Sequence, residues 1–260
     1  MTARKILPDS MRGGVKLRRE LLASSEGFVA LSHRFEGEGR RVIVTHDASL
    51  LALVEVQRGR AVFPLPSGPL DAPSRFVLSL PPRTVLPLHF FGAVLTSRGM
   101  ARFGTFATER PALLDATGIR DLTDVRDARV AARAPCLSCL DADRRVPRHV
   151  VAARLRLHDL LARPAPIREA ARVAGIAPET LTRAFQEAYG ITPKQYVHKA
   201  RLFVAVLRLL SGKAIVETAL DAGFNDVTRF YAQFRRLLGA TPGVYASIKK
   251  RQDGARRSVP

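Results

Sequence analysis

The chain has 260 residues, 47% apolar and 25% charged, with 42 Lys and Arg against 23 Asp and Glu and a formal net charge of +19. That apolar content supplies a core for one or two domains, and so large a basic excess points to a polyanion such as nucleic acid. No run of about 18 apolar residues could cross a membrane, no stretch near Met1 suits a signal peptide, and two cysteines make no disulfide framework; a cytoplasmic protein is expected.

The charge is uneven. Residues 150–260 hold 19 Lys and Arg against 8 Asp and Glu, net +11, and residues 1–149 hold 23 against 15, net +8. The denser excess lies in the C-terminal part, where a nucleic-acid footprint is expected. Part of it is background, because Arg and Ala are abundant throughout, as in chains from GC-rich genomes.

Residues 1–20 are basic and irregular, and the first ten are expected to be mobile. From Phe28 the pattern becomes strand-like. Val42–Thr45, Leu50–Val56, Ala61–Leu65, Arg75–Leu80, Thr84–Phe90 and Ala93–Thr96 are short apolar or alternating runs, punctuated by Gly37, Gly39, Gly59, Pro66–Pro69, Pro81-Pro82 and Gly99. Such spacing predicts a small β-sandwich or barrel over residues 1–120. His33, His46 and His89 fall in this region; together they could line a pocket or hold a metal, although three unrelated histidines are the plainer reading. Arg83, after the two prolines, could hold an anionic effector, although a solvated arginine is again plainer. A ligand pocket inside the barrel is plausible on architecture alone.

Residues 104–122 are a transition and 121–150 are read as a linker. A helix over 121–133 would align Leu122, Val125 and Arg129/Val130 on one side. Cys136 and Cys139 follow as a C-x-x-C pair. They are candidates for thiol or metal sensing, and Arg133, Arg144 and Arg145 would favour thiolate. One pair cannot complete a tetrahedral zinc site; it would need His149 or a second subunit. Val151, Leu155, Leu157/His158 and Leu161 predict an amphipathic helix ending before Pro164, with His158 and His198 read as surface or satisfied core residues.

The stretch from Pro166 to Tyr245 carries one pattern twice. Ala171, Gly175, Leu181, Phe185, Gly190, Pro193 and Tyr196 correspond to Ala219, Gly223, Phe230, Phe234, Gly239, Pro242 and Tyr245. From each Phe the steps to Gly, Pro and Tyr are identical. The unit is a helix with small residues on one face, a Gly turn, and a second helix with two inward apolar residues four apart. Pro178 can open the second helix of the first unit, and Asn225 can cap that of the second. A helix-turn-helix with a short polar outer face is suited to a major groove.

These residues, together with Arg183-Ala-Phe185, Gly190-Ile-Thr-Pro193, Arg201-Leu202, Gly223-Phe224 and Gly239-Ala-Thr-Pro242, resemble the DNA-binding domain of the AraC/XylS family of bacterial transcription regulators. The resemblance covers roughly residues 150–250. It implies an α+β chain: a β-sandwich or cupin-like sensor over 1–120, a linker over 121–150 with a dimerisation helix as one reading of it, a double helix-turn-helix domain over 151–250 joined by a long helix, and a basic tail over 251–260. The segment Gln57-Arg-Gly59 to Leu80-Pro81-Pro82 is similar to the cupin-type sensor of such relatives, without its metal-binding His-x-His and Glu. Two departures stand out. Ala177 occupies the position where the family prefers a capping Ser. The run Leu202–Leu207 is apolar around the joining helix, so a second face is expected to pack on the N-terminal domain or another subunit.

The implied function is sequence-specific promoter binding by two recognition helices in successive major grooves. Base contacts are expected from Glu179, Thr180, Thr182 and Arg183 in the first unit, and from Asp226, Val227, Thr228, Arg229 and Tyr231 in the second. Lys194, Lys199, Arg235 and Arg236 are the phosphate candidates. Double-stranded promoter DNA, RNA polymerase, a small-molecule effector and a second copy are the expected partners, with transcription activation as the expected outcome. No cofactor, no metal beyond the cysteine candidates and no enzymatic activity are expected: a DNA-repair methyl-transfer reading would need four cysteines. The alternatives are a thiol- or metal-responsive regulator through Cys136/Cys139, or a non-specific charge-driven DNA-binding protein.

Overall fold

The computed structural model describes residues 5–12, 14–25, 28–103, 108–122, 125–163 and 165–247. The basic run from Lys249 and the tail over 251–260 lie outside them. Among the described residues nine strands form one antiparallel sheet: β1 (Lys5–Arg12), β2 (Val15–Ser25), β3 (Phe28–Val44), β4 (Ala48–Leu65), β5 (Gly68–Asp71), β6 (Arg75–Leu80), β7 (Val85–Phe103), β8 (Ala112–Leu114) and β9 (Cys136–Cys139). Their order is β1-β2-β3-β7-β4-β6-β8-β9, with β5 paired to β4.

The strands read as separate short runs are halves of longer ones. Leu50–Val56 and Ala61–Leu65 both belong to β4; Ala93–Thr96 and most of Thr84–Phe90 belong to β7. Each long strand bends midway. The register slips between Gly37 and Gly39 on β3 and at Val56/Arg58 and Arg58/Arg60 on β4. Such slips bend a strand and let one sheet fold over itself. At the corner, Gly59 has φ 69°, and a Cβ there would sit 2.4 Å from the Gly92 carbonyl oxygen. The gly-rich steps are therefore bends within strands, and the expected sandwich is one doubled-over sheet. Ala52, Val54 and Leu95 of one half pack against Ala61, Phe63, Leu86 and Phe90 of the other. Leu51 and Leu53, on the opposite face of β4, enter a second core with Val77, Met100 and Leu114.

Two N-terminal expectations are corrected. Residues 5–12 and 15–25 are strands, not irregular chain: β1 pairs β2, and β2 pairs β3. Pairing on an edge orders a sequence whose own alternation is poor. Residues 121–150 are also not strung freely between domains. The helix α1 (Val125–Ala131) packs Ala128 and Ala131 with Leu122 into the second core, while Val130 is 62% exposed, so Arg129/Val130 is not the packed side. β9 adds to the sheet at β8.

The helical part comprises α2 (Arg148–Asp159), α3 (Pro166–Ala174), α4 (Pro178–Tyr189), α5 (Pro193–Leu210), α6 (Ile215–Asp221) and α7 (Val227–Leu238); residues 242–247 are helical as well. In α2 the buried face is Val150, Ala153, Arg154, Leu157 and His158, one step round from the expected stripe, and Leu155 is exposed. The rotation follows from what α2 packs on: the first helix-turn-helix together with Val44 and Val85 of the sheet. The apolar run of α5 packs as expected on both sides. Leu202, Ala205, Leu207 and Leu210 share one core with Phe224, Phe230 and Phe234 of the second unit and with Val29, Ala48 and Ala101 of the sheet. Among the described residues no helix is long and apolar enough to cross a membrane.

Candidate nucleic-acid interface

The two repeats fold into two equivalent units. In the first, α3 ends at Gly175 in the left-handed conformation and α4 follows; in the second, α6 ends at Ala222, Gly223 has φ 80°, and α7 follows. The conserved step from Phe to Tyr in both copies is a ring contact. Phe185 meets Tyr196 with centroids 5.6 Å apart, and Phe234 meets Tyr245 at 5.0 Å; all four are fully buried. Each unit is thus closed by an aromatic pair linking its outer helix to the helix that follows.

Caps differ between the units. Ala177 at the N-cap of α4 makes no side-chain hydrogen bond, as its methyl dictates. In α7 the cap is Asp226, not Asn225: its Oδ1 accepts from the Arg229 backbone N–H at 3.1 Å. Ala177→Ser supplies the missing acceptor and is expected to stabilise the chain by about 1 kcal/mol. A melting temperature unchanged in a thermal scan would contradict that reading.

On α4, Glu179, Thr180 and Arg183 are exposed. Thr182 is half-buried, and its hydroxyl donates to the Pro178 carbonyl at 2.9 Å, so it turns back on its own helix. On α7, Thr228 and Arg229 are exposed, whereas Val227 and Tyr231 are half-buried and pack on the Phe230–Phe234 core. The outward face of α7 is therefore narrower than the sequence reading, with Arg229 and Thr228 at its centre and Asp226 engaged as the cap.

The phosphate candidates divide as well. Lys194, Lys199 and Arg236 line one concavity of about 370 Å³ between α5 and α7, with Gln195 and His198. Lys194, Arg235 and Arg236 are exposed, while Lys199 donates to the Val42 carbonyl at 3.2 Å and so also holds the sheet. Burial, with the nearby charges of Arg201, Lys194 and Arg236, keeps His198 below its ordinary pKa, so it is neutral at pH 7. Gln195 was not singled out by sequence, and His198 was read only as a surface or satisfied core residue; the tertiary approach of α7 to α5 places both here. The two units are braced by Arg201, which donates through Nε (2.8 Å) and Nη2 (2.5 Å) to the Leu161 carbonyl and lies 5.6 Å over the Phe224 ring.

Behind the units lies an apolar cavity of about 340 Å³, between the sheet and α5. Leu31, Phe35, Leu88 and Leu95 line it from the sheet, and Leu202 and Val206 from α5. Arg19, Arg41, His33, Ser97 and Lys199 are among its polar lining. Burial above all, with Arg19 nearby, pushes His33 down to about 3. His33, His46 and His89 do not come together, as the plainer reading has it: His33 lines the cavity, His89 lies on β7 in register with Arg40, and His46 turns toward α2. Arg83 is neither an anion holder of the barrel nor simply solvated, because it pairs with Asp159 of α2 at 3.1 Å.

Cys136 and Cys139 are exposed on β9 with sulfurs 3.8 Å apart. Burial, and then the neighbouring Cys139, push the Cys136 thiol up, opposite to the thiolate expected from the arginines. Among the described residues no third ligand joins them.

A family model described as a helix-turn-helix domain matches residues 170–247. The virulence regulon transcriptional activator VirF of Yersinia enterocolitica is 37% identical over 73 residues, 28% of this chain and 27% of that protein. The transcriptional regulator ExsA of Pseudomonas aeruginosa is 33% identical over 72 residues, 27% of this chain and 26% of its own length. The matched part thus spans about a quarter of these relatives. The solved structure of ToxT from Vibrio cholerae aligns over 85% of this chain and 98% of that one, with 11% identity and a TM-score of 0.43. With two such units in tandem and a family model and relatives that match across them, residues 170–247 form an AraC-type helix-turn-helix domain similar to that of these transcription regulators.

Proposed function

We propose that this regulator binds promoter DNA by placing α4 and α7 in two successive major grooves, and that the sheet domain modulates that binding through the apolar cavity against α5. The observation that carries the reading is the pairing of two units whose second helices expose Arg183 and Arg229, together with a core in which α5 meets both the second unit and the sheet. In it Arg183 and Arg229 read guanine edges, Glu179 accepts from a cytosine amino group, Thr180 and Thr228 adjust to either base, and Lys194, Arg235 and Arg236 hold phosphates. The cavity suits a largely apolar small molecule. RNA polymerase, a second copy of the chain and a cytoplasmic location belong to the same proposal, as does activation, the role printed for VirF.

Arg229→Ala is expected to weaken binding to the specific site by roughly 1–3 kcal/mol and to relax the preference at one base pair. Lys194→Ala should instead weaken specific and random DNA alike and lower the salt dependence by about one counterion. Gel-shift titrations on both kinds of DNA separate the two; equal losses for Arg229→Ala would contradict base reading. Footprinting upstream of the protein's own gene at near-physiological salt tests the whole proposal. Two protected sites about one helical turn apart support it. Protection that is uniform, or that appears only at low salt, favours the charge-driven reading.

A further inference from the structure

The search leads to the seam between sheet and helices. The turn between β3 and β4 carries His46 and Asp47; α2 carries His158. His46 Nδ1 lies 2.8 Å from Asp47 Oδ2, and His158 Nε2 lies 3.4 Å from Asp47 Oδ1. One donor atom from each of the three falls within 4.8 Å of the others. His46 Nδ1 is buried yet makes no hydrogen bond, even at that distance from the carboxylate. A buried ring nitrogen left orphaned beside a carboxylate calls for a partner.

We infer that His46, Asp47 and His158 form a binding site for a first-row divalent metal, zinc foremost, that clips the sheet domain to the DNA-binding domain. Two imidazoles and one carboxylate are a donor set suited to such ions, with a fourth position left for water. Water can reach it, because the Asp47 side chain is 61% exposed while that of His158 is 1% exposed. The outer nitrogen of His158, Nδ1, faces the Tyr196 hydroxyl at 3.4 Å, the kind of contact that orients a ligating ring.

Both halves of the site are anchored. Thr45 donates its hydroxyl to the Pro81 carbonyl at 2.8 Å, and the Arg83 backbone N–H donates to the His46 carbonyl at 3.1 Å. On the other side, Arg154 and Asp159 of α2 bind the Arg83 carbonyl and guanidinium. The two imidazoles are stacked, centroids 3.9 Å apart and planes at 24°. Metal binding therefore requires one ring to turn out of the stack, and His46, the more exposed, is the one that moves. The cysteines of β9 are the competing metal site.

The test uses the untagged full-length protein, stripped with chelator and titrated with zinc or cobalt(II). One equivalent per chain is expected, with cobalt absorption bands in the visible. At a hundredfold excess of zinc over its dissociation constant, the melting temperature should rise by roughly 5–10 °C. Asp47→Ala, at an exposed position, and His46→Ala should each weaken binding more than tenfold and abolish the shift, while Cys136→Ser/Cys139→Ser leaves both intact. Absence of stoichiometric binding overturns the inference. So does binding that survives Asp47→Ala and His46→Ala unchanged, or that is lost in the cysteine double variant.

Discussion

Replacing Arg154 by methionine is expected to destabilise the chain by about 3–5 kcal/mol, a fall of roughly 10 °C in melting temperature. The Arg154 side chain is 7% exposed. Its Nη2 donates to Asp143 Oδ2 and its Nη1 to the Arg83 carbonyl, both at 2.5 Å. Its guanidinium also lies 5.9 Å over the Tyr189 ring. Tyr189 in turn donates its hydroxyl to Asp143 Oδ1 at 2.7 Å, and burial pushes that phenol above its usual range, so it stays a donor. One guanidinium therefore joins α2, α4, the loop at Asp143 and the turn of the sheet at Arg83. Methionine fills the space but leaves Asp143 Oδ2 and the Arg83 carbonyl without their partner, which is the costly way to break a largely buried pair. The double variant Arg154→Met/Asp143→Asn removes the stranded charge and keeps an acceptor for Tyr189. It should recover part of the loss, by a coupling of about 1–3 kcal/mol. Losses that simply add would show that the pair is not coupled.

Gly223→Ala is expected to cost about 3 kcal/mol, while Gly175→Ala, at the matching position of the first unit, costs about 1–2 kcal/mol. Both glycines have positive φ, 80° at Gly223 and 67° at Gly175, and an alanine there carries the left-handed penalty. At Gly175 a Cβ meets nothing within 4 Å. At Gly223 it would stand 2.3 Å from the Leu161 carbonyl oxygen and 2.8 Å from Ala162 Cα. Those are backbone atoms of the α2–α3 connection, and the same carbonyl accepts both bonds of Arg201. The overpacking term therefore adds to the backbone term only in the second unit. Gly223→Ala should also lower specific DNA binding, because the two units are braced against each other at this contact. Thermal denaturation of the two variants side by side checks the claim; equal losses would contradict it.

The double helix-turn-helix was legible because its signals are local. Gly175 and Gly223 end helices through backbone conformation, Leu181/Phe185 and Phe230/Phe234 repeat at helical spacing, and the Phe-to-Tyr step fixes one ring contact per unit. The apolar circumference of α5 likewise announced a second packing face before the partner was known. Val227, Tyr231 and Thr182 look outward on a helical wheel, yet packing or a backbone hydrogen bond leaves them half-buried.

What the sequence by itself determined is therefore the C-terminal architecture, since periodicity, turn glycines and repeat spacing act within a few residues of themselves. The tertiary structure alone decided what depends on distant segments. It made strands of residues 5–25 through pairing with β3, merged short runs into bent strands around Gly59, and rotated the buried face of α2 toward the sheet. It separated two glycines that look equivalent, and it brought His46 and Asp47 to His158, 111 residues further along the chain. Long-range contacts of that kind have no local periodicity, so only the packed chain reveals them.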